Sequence, residues 1–133
     1  MFRIAASGFK PASVTACRSV LIVEDEPLIS MMLEDFLDSL GHEVAGTCDT
    51  VDEALGRVEQ GGFDVAIIDV NLNGRQVWPV ADRLAEKGIP YVLATGGHIE
   101  PPPAAHAGVP VLAKPYTLDA IEPVLAEACR VTP

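Results

Sequence analysis

Five short apolar runs alternate with helical patterns along the chain. Because the runs are nearly unbroken, they predict strands buried on both faces, as in a parallel sheet. Between most of them, apolar residues recur at the spacing of an amphipathic helix. The predicted strands cover residues 19–23, 44–48, 65–68, 89–94 and 111–113.

The predicted helices carry recognisable boundary signals. Pro27 suits the first turn of the first helix, where its missing N–H costs nothing. Residues 50–53, Thr-Val-Asp-Glu, form a capping box that predicts the start of the second helix. Several Pro and Gly residues between 96 and 110 leave room only for a short or frayed fourth helix around 104–107. Pro123 lies inside the last helical pattern and is expected to delay its start or kink it.

This alternation predicts the fold class. Strands and helices in turn indicate a doubly wound α/β domain, with a five-stranded parallel sheet, right-handed crossovers and helices on both faces. The length of 133 residues suits one domain. We expect the domain to occupy residues 19–133. Residues 1–18 show no periodicity and are expected to form a disordered N-terminal extension.

Composition and charge exclude several classes of partner. The formal net charge of −10 argues against nucleic acid or an anionic membrane as a direct partner. No apolar run approaches the ~18 residues of a membrane span. Cys17, Cys48 and Cys129 are odd in number and lack metal-ligand spacing, so we expect free thiols in a reducing cytoplasm. The three histidines also lack ligand spacing and are expected on solvent-facing loops.

A polar side chain with catalytic potential follows four of the five runs. Glu24 and Asp25 follow the first run, Asp69 the third, Thr95 the fourth and Lys114 the fifth. The carboxyl ends of parallel strands share one edge, so these groups can converge although they are far apart in sequence. Gathered carboxylates repel one another unless a cation lies among them. Oxygen ligands of this kind suit Mg²⁺, which keeps several waters.

These residue types together are the parts needed for phosphoryl transfer. They offer a carboxylate nucleophile, a divalent-metal site, an ammonium group and a hydroxyl for the phosphoryl oxygens. Taken singly, a strand-end Asp such as Asp69 often caps a turn, and a Thr before Gly often belongs to one. All of them at the matching ends of successive strands are harder to attribute to chance. The pattern therefore favours a phosphoryl-transfer site.

Four segments carry a family resemblance: residues 21–27 (Leu-Ile-Val-Glu-Asp-Glu-Pro), 66–69 (Ala-Ile-Ile-Asp), 94–96 (Ala-Thr-Gly) and 114–115 (Lys-Pro). Through them, residues 20–129 resemble a response-regulator receiver domain, the CheY-like phosphoacceptor of two-component signalling. The resemblance implies the flavodoxin-like form of the doubly wound fold. It also implies a cytoplasmic signalling protein that is not an enzyme and that acts by altered partner binding.

The same resemblance assigns roles to the strand-end residues. Asp69 would accept a phosphoryl group from a histidine kinase or a histidine phosphotransfer protein. Thr95 and Lys114 would contact the phosphoryl oxygens, and the Lys114–Pro115 peptide bond would be cis. The Mg²⁺ ligands would be Asp25, Asp69, the backbone carbonyl of Asn71 and, through water, Glu24.

The chain departs from the family pattern at the switch. Most receivers carry Tyr or Phe three residues before the Lys, where this chain has Val111; the nearest aromatic residue is Tyr116, after the Pro. Residues 93–98, Leu-Ala-Thr-Gly-Gly-His, resemble the Phe-Ala-Thr-Gly-x-Tyr motif of an atypical, often single-domain subgroup. These departures concern the switch and the output surface rather than the phosphorylation site.

Two other functions fit part of the pattern. A small Mg²⁺-dependent phosphatase of the haloacid-dehalogenase type also uses a strand-end Asp, a Thr or Ser and a Lys. That class needs a general acid two residues after the nucleophile, and Asn71 cannot donate a proton in that way. A pseudo-receiver would bind partners without phosphorylation. The presence of all the strand-end residues argues against this last interpretation.

Overall fold

The computed structural model describes residues 17–96 and 101–129. Four helices, a short 3₁₀-helix and seven strands occur in this part of the chain. In chain order they are β1 (Ser19–Val23), α1 (Pro27–Ser39), β2 (Glu43–Cys48), α2 (Val51–Gln60), β3 (Val65–Asp69), β4 (Asn71–Leu72), β5 (Arg75–Gln76), α3 (Trp78–Glu86), β6 (Tyr91–Gly96), the 3₁₀-helix (Ala104–His106), β7 (Val111–Lys114) and α4 (Leu118–Cys129).

The main sheet confirms the predicted doubly wound topology. Its five strands are all parallel and lie in the order β2-β1-β3-β6-β7. The order reverses at β1, because β2 lies on one side of it and β3 on the other. In open α/β sheets, ligands bind outside the carboxyl ends of the strands at such a switch point.

Helices cover both faces of the sheet, as predicted. Leu21 and Val23 of β1 pack with α2 and α3 on one face. Val20 and Ile22 pack with α1 and α4 on the other face. Every residue of β3 is buried, so this central strand is enclosed from both sides. Because β3 is enclosed in this way, Asp69, its last residue, is held at the carboxyl edge of the sheet.

The helix boundaries follow the signals in the sequence. α1 begins at Pro27. At the start of α2, Thr50 Oγ1 accepts the N–H of Glu53 at 3.0 Å, and the Glu53 carboxylate accepts the N–H of Asp49 at 3.1 Å. These two bonds satisfy main-chain donors that the helix itself leaves free.

The fourth helix is reduced to the 3₁₀-helix Ala104–His106, as the Pro- and Gly-rich composition predicted. His106 anchors it to the rest of the domain. The His106 ring stacks on Trp78 of α3, with 5.5 Å between ring centroids. Its Nδ1 is hydrogen-bonded to the hydroxyl of Tyr91 on β6. The segment is therefore tied both to α3 and to the strand that carries Thr95.

The expected delay at the start of the last helix was wrong. α4 begins at Leu118, soon after β7, and runs through Pro123 to Cys129. Ile121 and Leu125, on either side of the proline, are at most 1% exposed. Tertiary burial of an apolar face supplies most of the stability of a helix in a protein. Here that burial outweighs the hydrogen bond that Pro123 removes.

The prediction of three free thiols was wrong for two of them. Cys17 and Cys129 form a disulfide, with their Cα atoms 6.1 Å apart. Only Cys48, which is buried, is a free cysteine in the part of the chain described. The disulfide joins the segment before β1 to the end of α4, where both cysteines lie in one core. An odd count gave no information about this pairing across 112 positions.

Two of the histidines are buried, contrary to the expectation of solvent-facing loops. His42 is 8% exposed, and its Nε2 lies 2.8 Å from Glu122 Oε1. His106 is 2% exposed, and its Nε2 lies 2.7 Å from Asp82 Oδ1. Burial of each ring is tolerated because a carboxylate from a distant element satisfies its Nε2. His98 lies outside the described residues.

Most of the predicted N-terminal extension also falls outside the described residues. Its last two residues, Cys17 and Arg18, are attached to the domain. The main-chain N–H groups of Arg18 and Ser19 donate to Asp64 Oδ2 at 2.9 and 3.1 Å.

In the two described stretches, no helix combines the length and apolar character needed to cross a bilayer.

Candidate functional site

The carboxyl edge of the sheet brings the predicted strand-end residues together. Lys114 Nζ lies 2.9 Å from Asp69 Oδ2 and 2.9 Å from Glu24 Oε1. One carboxylate oxygen from each of Glu24, Asp25 and Asp69 lies within 4.8 Å of the other two. Thr95 is buried at the same edge on β6, the strand that pairs with β3. Residues from four strands therefore form one site around Asp69.

Negative charge exceeds positive charge in this cluster. Of its three carboxylates, those of Glu24 and Asp69 contact the ammonium of Lys114, the cation that the described residues place among them. Burial raises the pKa of Glu24 to about 7; the Lys114 ammonium opposes this rise and the Asp69 carboxylate adds to it. Glu24 Oε2 accepts the N–H of Glu26 at 3.2 Å. Its Oε1 is buried, and its contact with Lys114 is an ion pair without the direction of a hydrogen bond.

Lys114 remains charged in this environment. Burial alone would lower the pKa of its ammonium group. The hydrogen bond to Asp69 and the contact with Glu24 outweigh burial and raise the pKa above its ordinary value. The ammonium therefore offsets part of the carboxylate charge and stands beside Asp69, where it can meet further anionic oxygens.

We expect the metal-free protein to lose stability as the pH rises from about 5 to 8. The folded protein keeps a proton on Glu24 up to a pKa of about 7, whereas an unfolded glutamate releases it near 4.3. Between these values the folded state binds more protons, so the free energy of unfolding falls with rising pH, by roughly 1–3 kcal/mol. Urea unfolding at pH 5.5 and at pH 8, with a chelator present to keep the protein metal-free, measures this fall in the free energy of unfolding.

The matched variant for this prediction is Glu24→Gln, which cannot titrate. Its free energy of unfolding should change less between the two pH values than that of the wild type. A fall as steep in Glu24→Gln as in the wild type would show that another group causes it.

A hairpin borders the site, in a segment for which no strand was predicted. β4 and β5 pair antiparallel across Asn73 and Gly74, whose φ angles of 50° and 83° suit a type I′ turn. The main-chain N–H of Asn73 donates to Asp25 Oδ2 at 2.9 Å. Its side-chain Nδ2 donates to the carbonyl of Asp49 at 3.2 Å. The Asn-Gly pair is a strong hairpin signal, so the sequence does carry the information for this element.

The hairpin also orients Asn71. Its main-chain N–H donates to Asp69 Oδ1 at 3.2 Å. Val77 N–H bonds to the carbonyl of Val70 at 2.9 Å, so the next pair, Asn71 with Gln76, is a non-hydrogen-bonded pair. The Asn71 carbonyl is thus left out of the hairpin ladder. It is available as the oxygen ligand that the family resemblance implies.

The donor set fits a hard divalent cation. Carboxylate oxygens converge, negative charge is in excess, and a main-chain carbonyl is available, which are the features that suit Mg²⁺. Asp25 is half-buried while Glu24 is 2% exposed. Asp25 is therefore the more accessible of the two for direct coordination.

The positions that depart from the family pattern lie in contrasting environments. Val111 is exposed on the edge strand β7, whereas Tyr116 is 4% exposed. Burial and the charges of Glu24 and Asp69 raise the pKa of the Tyr116 hydroxyl above its ordinary value, so it stays protonated. This closeness of Tyr116 to the acidic cluster was not predicted. The bond between Lys114 and Pro115 is cis, as expected.

Comparison with known proteins gives consistent matches. Residues 20–124 match the family model described as response regulator receiver domain. The chain is 31% identical over 112 residues to the sensor histidine kinase RcsC of Salmonella typhi, covering 80% of this chain and 12% of RcsC. It is 36% identical over 85 residues to the transcriptional regulatory protein PdtaR of Mycobacterium tuberculosis, covering 63% of this chain and 42% of PdtaR. The chain thus spans less than half the length of these relatives.

Solved structures show the same likeness along most of the chain. The solution structure of SdrG from Sphingomonas melonis Fr1 is 52% identical with a TM-score of 0.76, covering 84% of this chain and 96% of SdrG. The crystal structure of the response regulator PhyR from Brucella abortus is 27% identical with a TM-score of 0.72, covering 87% of this chain and 49% of PhyR. Both are similar to this chain in sequence and fold.

Proposed function

The chain belongs to the response regulator receiver domain family, and we propose that it accepts a phosphoryl group on Asp69 from a histidine kinase or a histidine phosphotransfer protein. The phosphorylated form then binds its protein partners differently. The observation that carries this proposal is the contact of the Lys114 ammonium with Asp69 and Glu24 at the end of the central strand. Receiver domains are generally signalling modules, so we expect no turnover beyond the chain's own phosphorylation and dephosphorylation.

Asp69 is the nucleophile in this mechanism. One carboxylate oxygen attacks the phosphorus of a phosphohistidine, and a P–O bond forms as the P–N bond breaks. The electron pair of the broken bond stays on the imidazole nitrogen, and an acyl phosphate remains on the protein. Hydrogen bonds from Asn71 N–H to Oδ1 and from Lys114 Nζ to Oδ2 orient the carboxylate before the attack.

The remaining groups stabilise charge on the phosphoryl oxygens. Lys114 pairs with one of them, and the hydroxyl of Thr95 donates to another. When bound, Mg²⁺ neutralises charge that develops as the phosphoryl group is transferred. Its protein ligands would be Asp25, Asp69, the carbonyl of Asn71 and, through water, Glu24.

The phosphatase alternative is not favoured. The receiver family accounts for residues 20–124, and Asn71 occupies the position where that enzyme class needs a proton donor. Asn71 Oδ1 instead accepts the N–H of Gly74 at 3.1 Å, which supports a role in the hairpin. The pseudo-receiver alternative has less support, because the acids, Thr95 and Lys114 are all present at the site.

We extend the proposal to the subgroup, the domain boundaries and the location. The reduced helix Ala104–His106 and the exposed Val111 support membership of the atypical Phe-Ala-Thr-Gly-x-Tyr subgroup. The receiver domain is proposed to occupy residues 19–133. Cytoplasmic phosphodonors of the two-component type would place its action in the cytoplasm.

Transfer from labelled phosphohistidine donors tests the function. We expect the label to move from an autophosphorylated histidine kinase or phosphotransfer protein to the chain when Mg²⁺ is present, and a chelator to prevent the movement. The histidine kinases of the source organism, assayed one by one, would identify the donor. The proposal fails if no donor transfers its label and acetyl phosphate leaves the mass of the chain unchanged.

A further inference from the structure

We propose that Asn73 is a positioning residue for metal binding, because the Asn73–Gly74 turn holds Asp25 so that one of its carboxylate oxygens faces the cation. The inference rests on the proposed function, which makes Asp25 a direct Mg²⁺ ligand. It adds a feature outside the acidic cluster, the Asn73–Gly74 turn, to the residues that prepare the site.

The turn is hydrogen-bonded directly to Asp25. The main-chain N–H of Asn73 donates to Asp25 Oδ2 at 2.9 Å, a charge-assisted bond to an ionised acceptor. Engagement of Oδ2 restricts rotation of the carboxylate and leaves Oδ1 for the metal. Asp25 is only half-buried, so without this bond its side chain would be free to turn towards solvent.

The conformation of the turn depends on the residue type at position 73. Asn73 has a φ of 50°, the left-handed region that costs most residues about 1–2 kcal/mol and that Asn tolerates better than they do. This conformation directs the N–H of Asn73 towards Asp25 while β4 and β5 stay paired. Alanine at this position would lose that tolerance, whereas glycine would keep the positive φ without cost.

Two further hydrogen bonds hold the turn in place. Asn73 Nδ2 donates to the carbonyl of Asp49, the residue that follows β2, at 3.2 Å. Gly74 N–H donates to Asn71 Oδ1 at 3.1 Å, beside the strand that carries Asp69. The side chain of Asn73 thus attaches the turn to the segment that follows β2, and the bond between Gly74 and Asn71 braces the turn within its own hairpin.

Groups that hydrogen-bond a metal-ligating carboxylate usually matter for affinity. Their mutation typically costs about 10- to 100-fold in metal binding. The Asn73 side chain acts one step further away, through the turn, so we expect an effect near the lower limit. Asn73→Ala should weaken Mg²⁺ binding about 10-fold. Asn73→Gly should weaken it less, because only the attachment to Asp49 is lost.

Calorimetric titration of the full chain with Mg²⁺ tests the proposal. The matched control is Gln76→Ala, which removes another exposed carboxamide from the same hairpin without touching the turn. We expect the dissociation constant to rise in the order wild type and Gln76→Ala, then Asn73→Gly, then Asn73→Ala. A constant for Asn73→Ala equal to that of the wild type would overturn the inference.

A second readout separates positioning from general damage. Phosphorylation by acetyl phosphate should need more Mg²⁺ in Asn73→Ala yet reach the wild-type rate at saturating Mg²⁺. A lower saturating rate at an unchanged Mg²⁺ requirement would contradict a positioning role. If the wild type itself binds Mg²⁺ but takes up no phosphoryl group, the proposed function fails while the effect on metal affinity still decides this inference.

Discussion

Asp69→Asn is expected to reduce phosphoryl uptake to background while the protein remains folded. Asparagine has nearly the shape of aspartate, but its amide is not a nucleophile and cannot form the acyl phosphate. Asp69 is the carboxylate at the end of the central strand, and Lys114 contacts it at 2.9 Å. The change also removes one negative charge from a buried acidic cluster, so stability should not fall.

Intact mass after incubation with Mg²⁺ and acetyl phosphate measures this prediction. The wild type should gain the mass of one phosphoryl group. The matched control is Asp64→Asn, which alters the acid just before the other end of β3, where it accepts N–H groups from Arg18 and Ser19. That control should be phosphorylated like the wild type. Equal uptake by Asp69→Asn and the wild type would assign the phosphoryl group to another residue.

Loss of the disulfide is expected to have the second large effect, on stability rather than chemistry. The bond between Cys17 and Cys129 closes the described domain into one loop, because the two cysteines are 112 positions apart in sequence. In the chain-entropy account, a loop of about 100 residues is worth about 4.7 kcal/mol, while typical measured values are about 2–4 kcal/mol. Since domains are stable by only about 5–15 kcal/mol, this is a large share.

Thermal unfolding with and without a strong reductant measures this effect. The midpoint of the wild type should fall on the order of 10 °C on reduction. Cys129→Ser cannot form the disulfide, so its midpoint should match that of the reduced wild type both with and without reductant. The control Cys48→Ser alters the buried free thiol and should keep the full response to reductant. A wild-type midpoint that stays the same after complete reduction would show that the disulfide does not stabilise the fold.

The outline of the fold and of the site could be predicted because both depend on local patterns. Apolar runs and capping signals are complete within about ten residues, and tertiary burial then reinforces them. Asn73 and Gly74 carry such a local signal as well, although no strand was predicted beside them. Pro123 shows the opposite case, since burial of Ile121 and Leu125 outweighed a correct local penalty.

The sequence by itself determined which residues stand at the carboxyl edge, because strand direction in an alternating α/β chain fixes the end at which each polar residue emerges. Only the tertiary structure decided their partners. Lys114 contacts Asp69, 45 positions away in sequence. Cys17 is bonded to Cys129 over a separation of 112 positions. The buried His106 is hydrogen-bonded to Asp82, 24 positions away. Such contacts depend on strand order and on how the helices close over the sheet, and periodicity within a short window carries no information about either.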